Sequence, residues 1–394
     1  MITINTEKIK DIANKVAMGV DGDRTSPISE LLEFELKNKN LTLKTTNKEY
    51  FLKTVIENVT NDEQDFHVTI VADTFLTLIT KTTTSEIKLD LTESGLVVQG
   101  NGKYTFPIVQ DDDKIVTLPE ISFNPDDTAI RFNISGNTLK SINDFNSKEL
   151  SKEVAVDPIQ KYYYLDNDGA LTFVEGACIN EFKIDSQAFK VLLNERLVQL
   201  FKLFADQQVA VTLTQTQNGY DKEGNISYQN KMRFIVPNIE LTAILPDSDL
   251  VAKYPALQIR ALANISYPGK VEISKTTLLE ALDRLSIFDK KSAGNKVDLK
   301  KCGKINFGTD SMEIISMKDN NTETFNYSKD SKSNIEFTSF VSLSDLVKHG
   351  NITLTDGIVL HFGTGDALMM QRRNLKQVIP ELGDPTEYLN DLGD

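Results

Sequence analysis

The residue types that most often carry catalysis or bind metals are sparse in this sequence and spaced unfavourably for either role. The three histidines, His67, His349 and His361, lie far apart, and none belongs to the HExxH pattern with which a helix holds zinc. The two cysteines, Cys178 and Cys302, have no CxxC partner. No GxxxxGK[ST] phosphate loop and no GxSxG nucleophile occurs. We therefore predict a protein that is not an enzyme and that uses no metal and no cofactor.

Two acidic clusters are the remaining candidates for metal binding. Asp111-Asp112-Asp113 and Asp247-Ser248-Asp249 offer the carboxylate oxygens that Mg²⁺ prefers. Neither cluster is accompanied by a nucleophile or a base, so we interpret both as solvated loop acids. We interpret Cys178 and Cys302 as small apolar residues near strands.

Lysine and arginine side chains suggest a second kind of chemistry, contact with phosphate. The chain as a whole is acidic, with 57 Asp and Glu against 43 Lys and Arg and a formal net charge of -14. This balance argues against a protein that coats nucleic acid with its entire surface, and it leaves room for a locally basic face. The predicted helices nevertheless carry a small positive excess: Lys8 and Lys15 share one side of the first helix, and Arg284 and Lys291 share the polar side of the fifth. Solvated helix surfaces are one interpretation, and helices that face an anionic partner are the other.

The helices that carry these cations belong to a sequence repeat that occurs six times along the chain. Each copy predicts a short strand, a polar capping residue and an amphipathic helix, followed by period-two strands. The copies begin near Ile2, Val68, Ile130, Phe182, Val271 and Ile335. In the fourth copy the helix is predicted from Asp185, and in the sixth it follows a strand over 335–337. The predicted helix caps are Asp73, Asp185 or Ser186, and Ser274.

The six copies predict an α+β fold in which helices lie on antiparallel sheets. A single copy of roughly 60 residues would bury too little apolar surface to be stable alone, so we expect the copies to pair. This pairing predicts three domains, over residues 1–126, 127–262 and 263–394. The joints are expected near Asn124–Asp127 and in the proline-bearing stretch Pro255–Pro268.

Several segments, taken in this order and spacing, resemble the bacterial DNA polymerase III β subunit, the sliding clamp. In the first domain they are Asp23–Ile28 and Leu41–Asn47, and further on they are Tyr163–Asp166, Leu245–Asp247 and Leu354–Asp356. The similarity runs along nearly the whole chain.

Two regions depart from the family pattern. The stretch Ala170–Asp185 is shorter than the family's strand pair, and Ala367–Arg373 is followed by an acidic tail through Asp394. These departures favour a phage-borne or mobile-element relative of the family.

The resemblance implies a DNA clamp fold and a ring-forming head-to-tail homodimer that surrounds duplex DNA without reading its sequence. Such a ring is a processivity factor, whose partners are the replicative polymerase and the clamp loader, both bound through short peptides. No leader pattern and no run of 18 apolar residues is found, so we expect a cytoplasmic protein without a membrane partner. The alternative is a β-rich structural protein, such as a virion component, that binds no DNA.

The helix pattern and the resemblance predict a set of DNA contacts, and the resemblance also implies a partner-peptide pocket and a dimer interface. The predicted DNA contacts are Arg24, which lies in a matched segment, and Lys8, Lys15, Lys81, Lys140, Lys148, Lys190, Arg196, Lys202, Arg284 and Lys291. The predicted partner-peptide pocket comprises Leu165, Gly176, Cys178, Ile179, Pro246, Val251, Val359, Met369 and Met370. The predicted dimer interface comprises Lys103, Tyr104, Phe106, Leu278 and Leu279.

Overall fold

The computed structural model describes residues 1–21, 26–61, 65–147, 150, 157–174, 176–220, 224, 226–289, 302–317, 320–350 and 356–383. The chain divides into two compact units. The first unit is formed by Met1–Lys140 and Asp185–Ala252, and the second by Ser141–Ile184 and Lys253–Asp394.

The secondary structure consists of short helices between runs of antiparallel strands. The helices are α1 (Thr6–Gly19), α2 (Ala72–Lys81), α3 (Gly136–Ser141), α4 (Glu195–Leu200), α5 (Ser248–Lys253), α6 (Ala256–Ala263), α7 (Lys275–Asp289) and α8 (Leu343–Gly350). A π-helical turn, Ile142–Asn146, extends α3, and a 3-10 turn, Phe201–Phe204, extends α4. Two further 3-10 turns cover Pro27–Glu30 and Pro158–Lys161.

The strands account for most of the remaining described residues. They are β1 (Ile2–Asn5), β2 (Leu31–Lys37), β3 (Asn40–Thr46), β4 (Tyr50–Ile56), β5 (Thr60–Asn61), β6 (Phe66–Val71), β7 (Glu86–Thr92), β8 (Gly95–Gln99), β9 (Lys103–Phe106), β10 (Gln110–Asp111), β11 (Lys114–Ile115), β12 (Ile130–Ser135), β13 (Tyr162–Asp166) and β14 (Gly169–Phe173). They continue with β15 (Ala177–Glu181), β16 (Lys190–Asn194), β17 (Gln208–Tyr220), β18 (Ile226–Val236), β19 (Ile239–Leu245), β20 (Gly269–Ser274), β21 (Cys302–Phe307), β22 (Ser311–Ser316), β23 (Thr322–Asn326), β24 (Phe337–Ser342), β25 (Gly357–Phe362), β26 (Ala367–Arg372) and β27 (Leu375–Pro380).

The first unit contains two large antiparallel sheets. One has the strand order β5-β1-β7-β8-β9, and the other has the order β12-β17-β18-β19-β4-β3-β2-β6. In the second sheet β19 pairs with β4, so that Leu241 lies opposite Leu52. The strands predicted for domains 1 and 2 therefore belong to one continuous sheet.

The core of the first unit lies between α1, α2 and these sheets. Ile9, Ile12, Ala13 and Val16 are buried on one side of α1, as their helical spacing predicts. Phe75 of α2 packs edge-on against Phe34 at 5.0 Å between ring centroids. Burial of this apolar side fixes which side of each helix stays in solvent.

The second unit is organised in the same way. Seven of its strands lie in the order β13-β14-β15-β27-β26-β25-β20, and four others in the order β23-β22-β21-β24. Helices α7 and α8 pack on each other, with Leu278, Leu282 and Leu346 in the core. Phe307 of β21 stacks on Phe362 of β25 at 3.7 Å and joins the two sheets.

The predicted α+β class and most of the repeated elements are confirmed, but the fourth and sixth copies are wrong in register. Residues 185–189 form no helix; Lys190–Asn194 is strand β16, and α4 begins at Glu195. Phe337–Ser342 is strand β24, and α8 begins at Leu343. Short apolar runs such as Val191–Leu193 suit a buried strand as well as a helix, and periodicity alone does not separate the two.

Of the predicted helix caps, one is confirmed and the others are wrong. The Ser274 cap is confirmed, because its hydroxyl accepts a 3.3 Å hydrogen bond from the Thr277 amide. Asp73 lies inside the first turn of α2 and is not its cap, although a carboxylate there favours the positive end of the helix dipole. The cap of α4 is Asn194, which accepts from the Leu197 amide at 2.7 Å, and not Asp185 or Ser186. The predicted linker Pro255–Pro268 contains helix α6.

Candidate nucleic-acid and partner surfaces

The helices that carry the predicted DNA contacts are paired within the units. Helix α1 packs against α2 in the first unit, and α7 packs against α8 in the second. The start of α3 lies against the turn that follows α4, where a Cβ on Gly136 would overlap the Phe204 carbonyl oxygen. Asn137 fixes the same contact by donating to the Asp206 carboxylate at 3.0 Å. Only glycine permits this close approach of the two backbones.

Five of the predicted cations are exposed in the first unit. Lys8, Lys81 and Lys140 lie on helices α1, α2 and α3, and Lys202 lies on the turn after α4. Lys190 is exposed but belongs to strand β16, so its predicted place on a helix is wrong. The other four are free of the apolar core and available to an anion.

Lys15 and Arg284 are held in ion pairs. Lys15 lies 2.6 Å from Asp11, one turn earlier on α1. Arg284 of α7 donates two hydrogen bonds of 2.8 Å to Glu323 of β23, and this contact lowers the pKa of the Glu323 carboxyl. Both arrangements partly neutralise a cation that the sequence predicts to contact phosphate. Arg24, Lys148 and Lys291 lie outside the described residues.

Arg196 makes hydrogen bonds and an ion pair within the first unit. Its guanidinium donates to the carbonyl oxygens of Met18 at 3.0 Å and Val20 at 2.7 Å, and it lies 3.7 Å from the Asp21 carboxylate. These carbonyls belong to the C-terminal end of α1, where a cation also favours the helix dipole. The buried Tyr50 hydroxyl donates to the neighbouring Gly19 carbonyl at 2.8 Å. Arg196 therefore positions the end of α1.

The predicted dimer-interface residues divide into edge and core positions. Lys103 and Tyr104 are exposed on β9, which is an edge strand of the five-stranded sheet. Phe106 of the same strand is buried 5.6 Å from the Phe75 ring. In the second unit, Leu278 is a core residue and Leu279 is partly buried. The side chains of Phe106 and Leu278 are already packed in the cores of their units, so an interface role would require them to leave the core.

Strand pairing decides which of the predicted pocket residues share a face. Residues opposite each other on paired strands point to the same side of a sheet, and side chains alternate along each strand. Ile179 lies opposite Leu171 and Lys376, Met369 lies opposite Val378 and His361, and Val359 follows His361 at period two. We call this side of the second unit's sheet the outer face.

The alternate positions point to the other side. Leu165 lies between Tyr164 and Asp166, which face outward, and Cys178 packs with Leu375 and Phe145 on the inner side. Met370 belongs to the core cluster around α7. Period-two alternation thus places Leu165, Cys178 and Met370 on the opposite side of the sheet from Ile179.

Pro246 and Val251 belong to the first unit. The Pro246 carbonyl accepts from the Asn230 amide group at 2.9 Å, and Val251 is buried in α5. Gly176 is partly buried in the second unit, beside β15.

The outer face is covered by Tyr254 and by helix α6, which lies in the stretch Pro255–Pro268 for which the sequence predicts a linker. Tyr254 is buried, stacks on Tyr164 at 5.0 Å and meets Phe173 edge-on at 5.2 Å. Its hydroxyl donates to the Leu171 carbonyl at 3.0 Å. Helix α6 then packs against β14 and β27.

Comparisons with known proteins agree with this architecture. Residues 1–119 match the sequence model of the DNA polymerase III beta subunit, N-terminal domain. This match covers the N-terminal part of the 394-residue chain. A comparison with curated proteins finds no match.

Solved structures show the sliding-clamp fold over the rest of the chain. The DNA polymerase sliding clamp of Bacillus subtilis is 15% identical, with a TM-score of 0.75, and the alignment covers 97% of this chain and 99% of that one. The beta subunit of Thermotoga maritima is 14% identical, with a TM-score of 0.77 and coverage of 97% and 99%. The beta subunit of Pseudomonas aeruginosa is 15% identical, with a TM-score of 0.77 and coverage of 97% and 100%.

The sequence pattern did not predict the buried ion cluster of the first unit. The Glu33 carboxylate is 1% exposed and accepts from Lys44 at 3.0 Å and from the Leu118 amide at 2.6 Å. Burial disfavours the Lys44 ammonium, but hydrogen bonds to Glu35 and Glu33 outweigh it and raise the lysine pKa. The only sequence signal is alternation, which places Glu33 and Glu35 on one side of β2 opposite Lys44.

In the part of the chain that the structure describes, no group of three or more His, Cys, Asp or Glu residues could hold a metal ion. Asp112 and Asp113 occupy a left-handed turn between β10 and β11. None of the helices in the same described ranges is long and apolar enough to span a membrane.

Proposed function

We propose that this chain is a non-catalytic processivity factor, which assembles as a homodimeric ring around duplex DNA in the cytoplasm and tethers the replicative polymerase. The observation that carries the proposal is the sliding-clamp fold, matched over 97% of the chain, together with the family match of residues 1–119. Within each chain, a helix packed on an antiparallel sheet recurs several times, and such a repeat suits a ring that surrounds a helical polymer.

The DNA-facing surface in this proposal is the exposed side of the helices. Lys8, Lys81, Lys140 and Lys202 are exposed there, while the apolar sides of the same helices are buried. Lysine ammonium groups on short helices contact phosphate without reaching base edges, so binding is independent of sequence. A chain with a net charge of -14 then binds DNA weakly and is retained by topology.

The proposed assembly uses the free sheet edges. Strand β9 ends the five-stranded sheet of the first unit, and β23 ends the four-stranded sheet of the second. Such edges present unpaired backbone N–H and C=O groups that pair readily with another chain. A head-to-tail contact between unlike edges closes a ring of two chains. Lys103 and Tyr104 of β9, with Leu279 from the facing chain, are the proposed contacts.

The polymerase and the clamp loader are proposed to bind through short apolar peptides on the outer face. Ile179, Val359 and Met369 share that face, and Gly176 lies at the start of β15 beside it. Flexible methionine side chains adapt to several ligands.

Sedimentation equilibrium tests the assembly and separates it from a structural protein that forms large particles. We expect one species at twice the 44.1 kDa chain mass at micromolar concentration. A monomer at that concentration, or large rings and fibres, would contradict the proposed clamp.

A further inference from the structure

The outer face of the second unit's sheet is already occupied by part of the same chain. We define residues 253–264, which comprise Tyr254 and helix α6, as the cover segment. Ala256, Ile259 and Ala263 lie on one side of α6 and are each at most 7% exposed. The opposite side carries Leu257, which is 79% exposed. The cover segment thus packs on the sheet through one narrow apolar stripe.

Polar contacts fasten this stripe at Arg260, in the middle of α6, and at Asn264, its C-cap. Arg260 donates two hydrogen bonds of 2.7 Å to the Asp166 carboxylate of β13, and this pairing raises the arginine pKa. Lys376 of β27 donates to Asn264 at 3.2 Å and to Glu181 at 2.9 Å. Bidentate arginine pairs combine strength with a fixed geometry, so Arg260 sets the position of α6 on the sheet.

The cover segment itself has little intrinsic stability. Helix α6 has only eight residues, and Pro255 at its N-cap makes no side-chain capping bond. Isolated helices of this length are unstable in water, so α6 exists because it packs. Segments with few buried contacts open locally at much lower free energy than the whole domain unfolds.

We propose that the cover segment is an intramolecular occupant of the peptide-binding face, which must leave before an apolar partner peptide binds there. This inference rests on the proposed function, because it concerns regulation of the same face. The outer-face residues of the predicted pocket, Ile179 and Met369, are only 2% and 4% exposed, and α6 packs on β14 and β27, the strands beside theirs. A peptide therefore gains full access to them only in the open state.

The place taken by Tyr254 indicates what kind of anchor such a peptide needs. The Tyr254 ring lies parallel to Tyr164 and perpendicular to Phe173, a site shaped for one flat aromatic side chain. Burial in this site raises the pKa of Tyr164 to about 12. A Phe or Tyr of the incoming peptide replaces the Tyr254 ring in the open state.

The competition has a measurable effect on affinity. When only a fraction of molecules is open, the apparent Kd of the peptide is the intrinsic Kd divided by that fraction. Loosening the cover segment without touching the face therefore tightens peptide binding. An ordinary docking helix gives the opposite result, since damage to it weakens binding.

Fluorescence anisotropy with a labelled QLSLF peptide distinguishes these cases in the full-length protein. The test variant combines Ile259→Ala with Arg260→Ala, and the matched control is Leu257→Ala on the exposed side of α6. We expect the test variant to bind the peptide about 10-fold more tightly or better, and the control to match wild type. Unchanged or weaker binding by the test variant overturns the inference.

Hydrogen exchange on the wild-type protein gives a second readout that does not depend on variants folding. Saturating peptide is expected to speed exchange of the amides in residues 256–263, because the bound peptide holds the cover segment open. Slower exchange there shows that the peptide docks on α6 and overturns the inference.

Equal affinity of wild type and the test variant removes the cover mechanism but leaves a peptide-binding clamp. Absence of binding by every variant overturns both the cover mechanism and the peptide site of the proposed function.

Discussion

Arg196 donates a 2.7 Å hydrogen bond to the carbonyl oxygen of Val20, a residue 176 positions earlier in the chain. A second bond to Met18 makes the guanidinium a bridge between α4 and the end of α1. The sequence predicts a phosphate contact at Arg196, but the geometry of its side chain assigns it the task of holding a helix end in place.

Replacing Arg196 is therefore expected to change stability more than DNA binding. Arg196→Ala leaves two carbonyls without their donor and should lower the free energy of unfolding by about 1–3 kcal/mol. Arg196→Lys keeps the charge but cannot reproduce the planar fork, so it should rescue only part of this decrease. Urea denaturation measures both variants. Full rescue by lysine would show that charge alone matters at this position.

The buried Glu33 should be the most sensitive member of its ion cluster. Glu33→Gln removes the charge that faces Lys44 in a site that is 1% exposed, and we expect a decrease of about 2–4 kcal/mol in unfolding free energy. Glu120 contacts the same lysine at 3.3 Å but is 62% exposed, so Glu120→Gln is the matched control and should cost less than about 1 kcal/mol. Comparable decreases for the two variants in thermal or urea unfolding would contradict this assignment.

The same cluster predicts an acid-dependent part of the stability. The hydrogen bond from Lys44 lowers the pKa of Glu35 below its ordinary value of 4.5. The stabilisation is therefore complete above pH 4.5 and disappears as the pH falls through the lowered folded-state pKa. Urea midpoints of wild type and Glu35→Gln should differ at about pH 6 and converge toward about pH 3. A difference that does not change with pH would count against the Lys44 contact.

Exposed helix lysines should dominate weak DNA binding. A Lys81→Glu, Lys140→Glu and Lys202→Glu variant should reduce the slope of log K against log salt concentration by about 0.9 for each phosphate that the protein no longer neutralises. The matched control changes Lys37, Lys88 and Lys114 to Glu, which alters net charge equally on exposed strand positions of the first unit. Filter binding or anisotropy between about 50 and 200 mM salt measures the slopes, in the range where phosphate binding weakens steeply. Equal slopes for the two variants would refute the helix surface as the contact.

The sequence contained enough information for the helices whose apolar period is long. The apolar spacing from Ile9 to Val16 predicts α1, and that from Leu278 to Leu285 predicts α7, because apolar residues repeated every 3.6 positions are typical of a helix. Val191–Leu193 is too short to show a period, and only the position of β16 beside other strands decides it. The sequence pattern of Ala256, Ile259 and Ala263 also has helical spacing, and the prolines around it hid that signal.

The candidate sites depended on contacts that a sequence does not display. Asp166 and Arg260 are 94 positions apart, and no local pattern links them. The division of Leu165 and Ile179 between two faces follows from strand pairing, which fixes the direction of every side chain at once. Resemblance to a family indicated which strands carry the predicted pocket residues, but it did not indicate on which face of the sheet each residue lies.

A ring that encircles DNA stays on a closed circle and slides off a free end, so retention on circular DNA compared with linear DNA distinguishes encirclement from surface binding. After a clamp loader and ATP have acted, the protein is incubated with nicked circular DNA, and half of the sample is then linearised with a restriction enzyme before gel filtration in moderate salt. We expect the protein to elute with the circular DNA and to separate from the linear DNA, because a ring slides off a free end. Equal retention on both forms, or retention on neither, would contradict the proposed clamp.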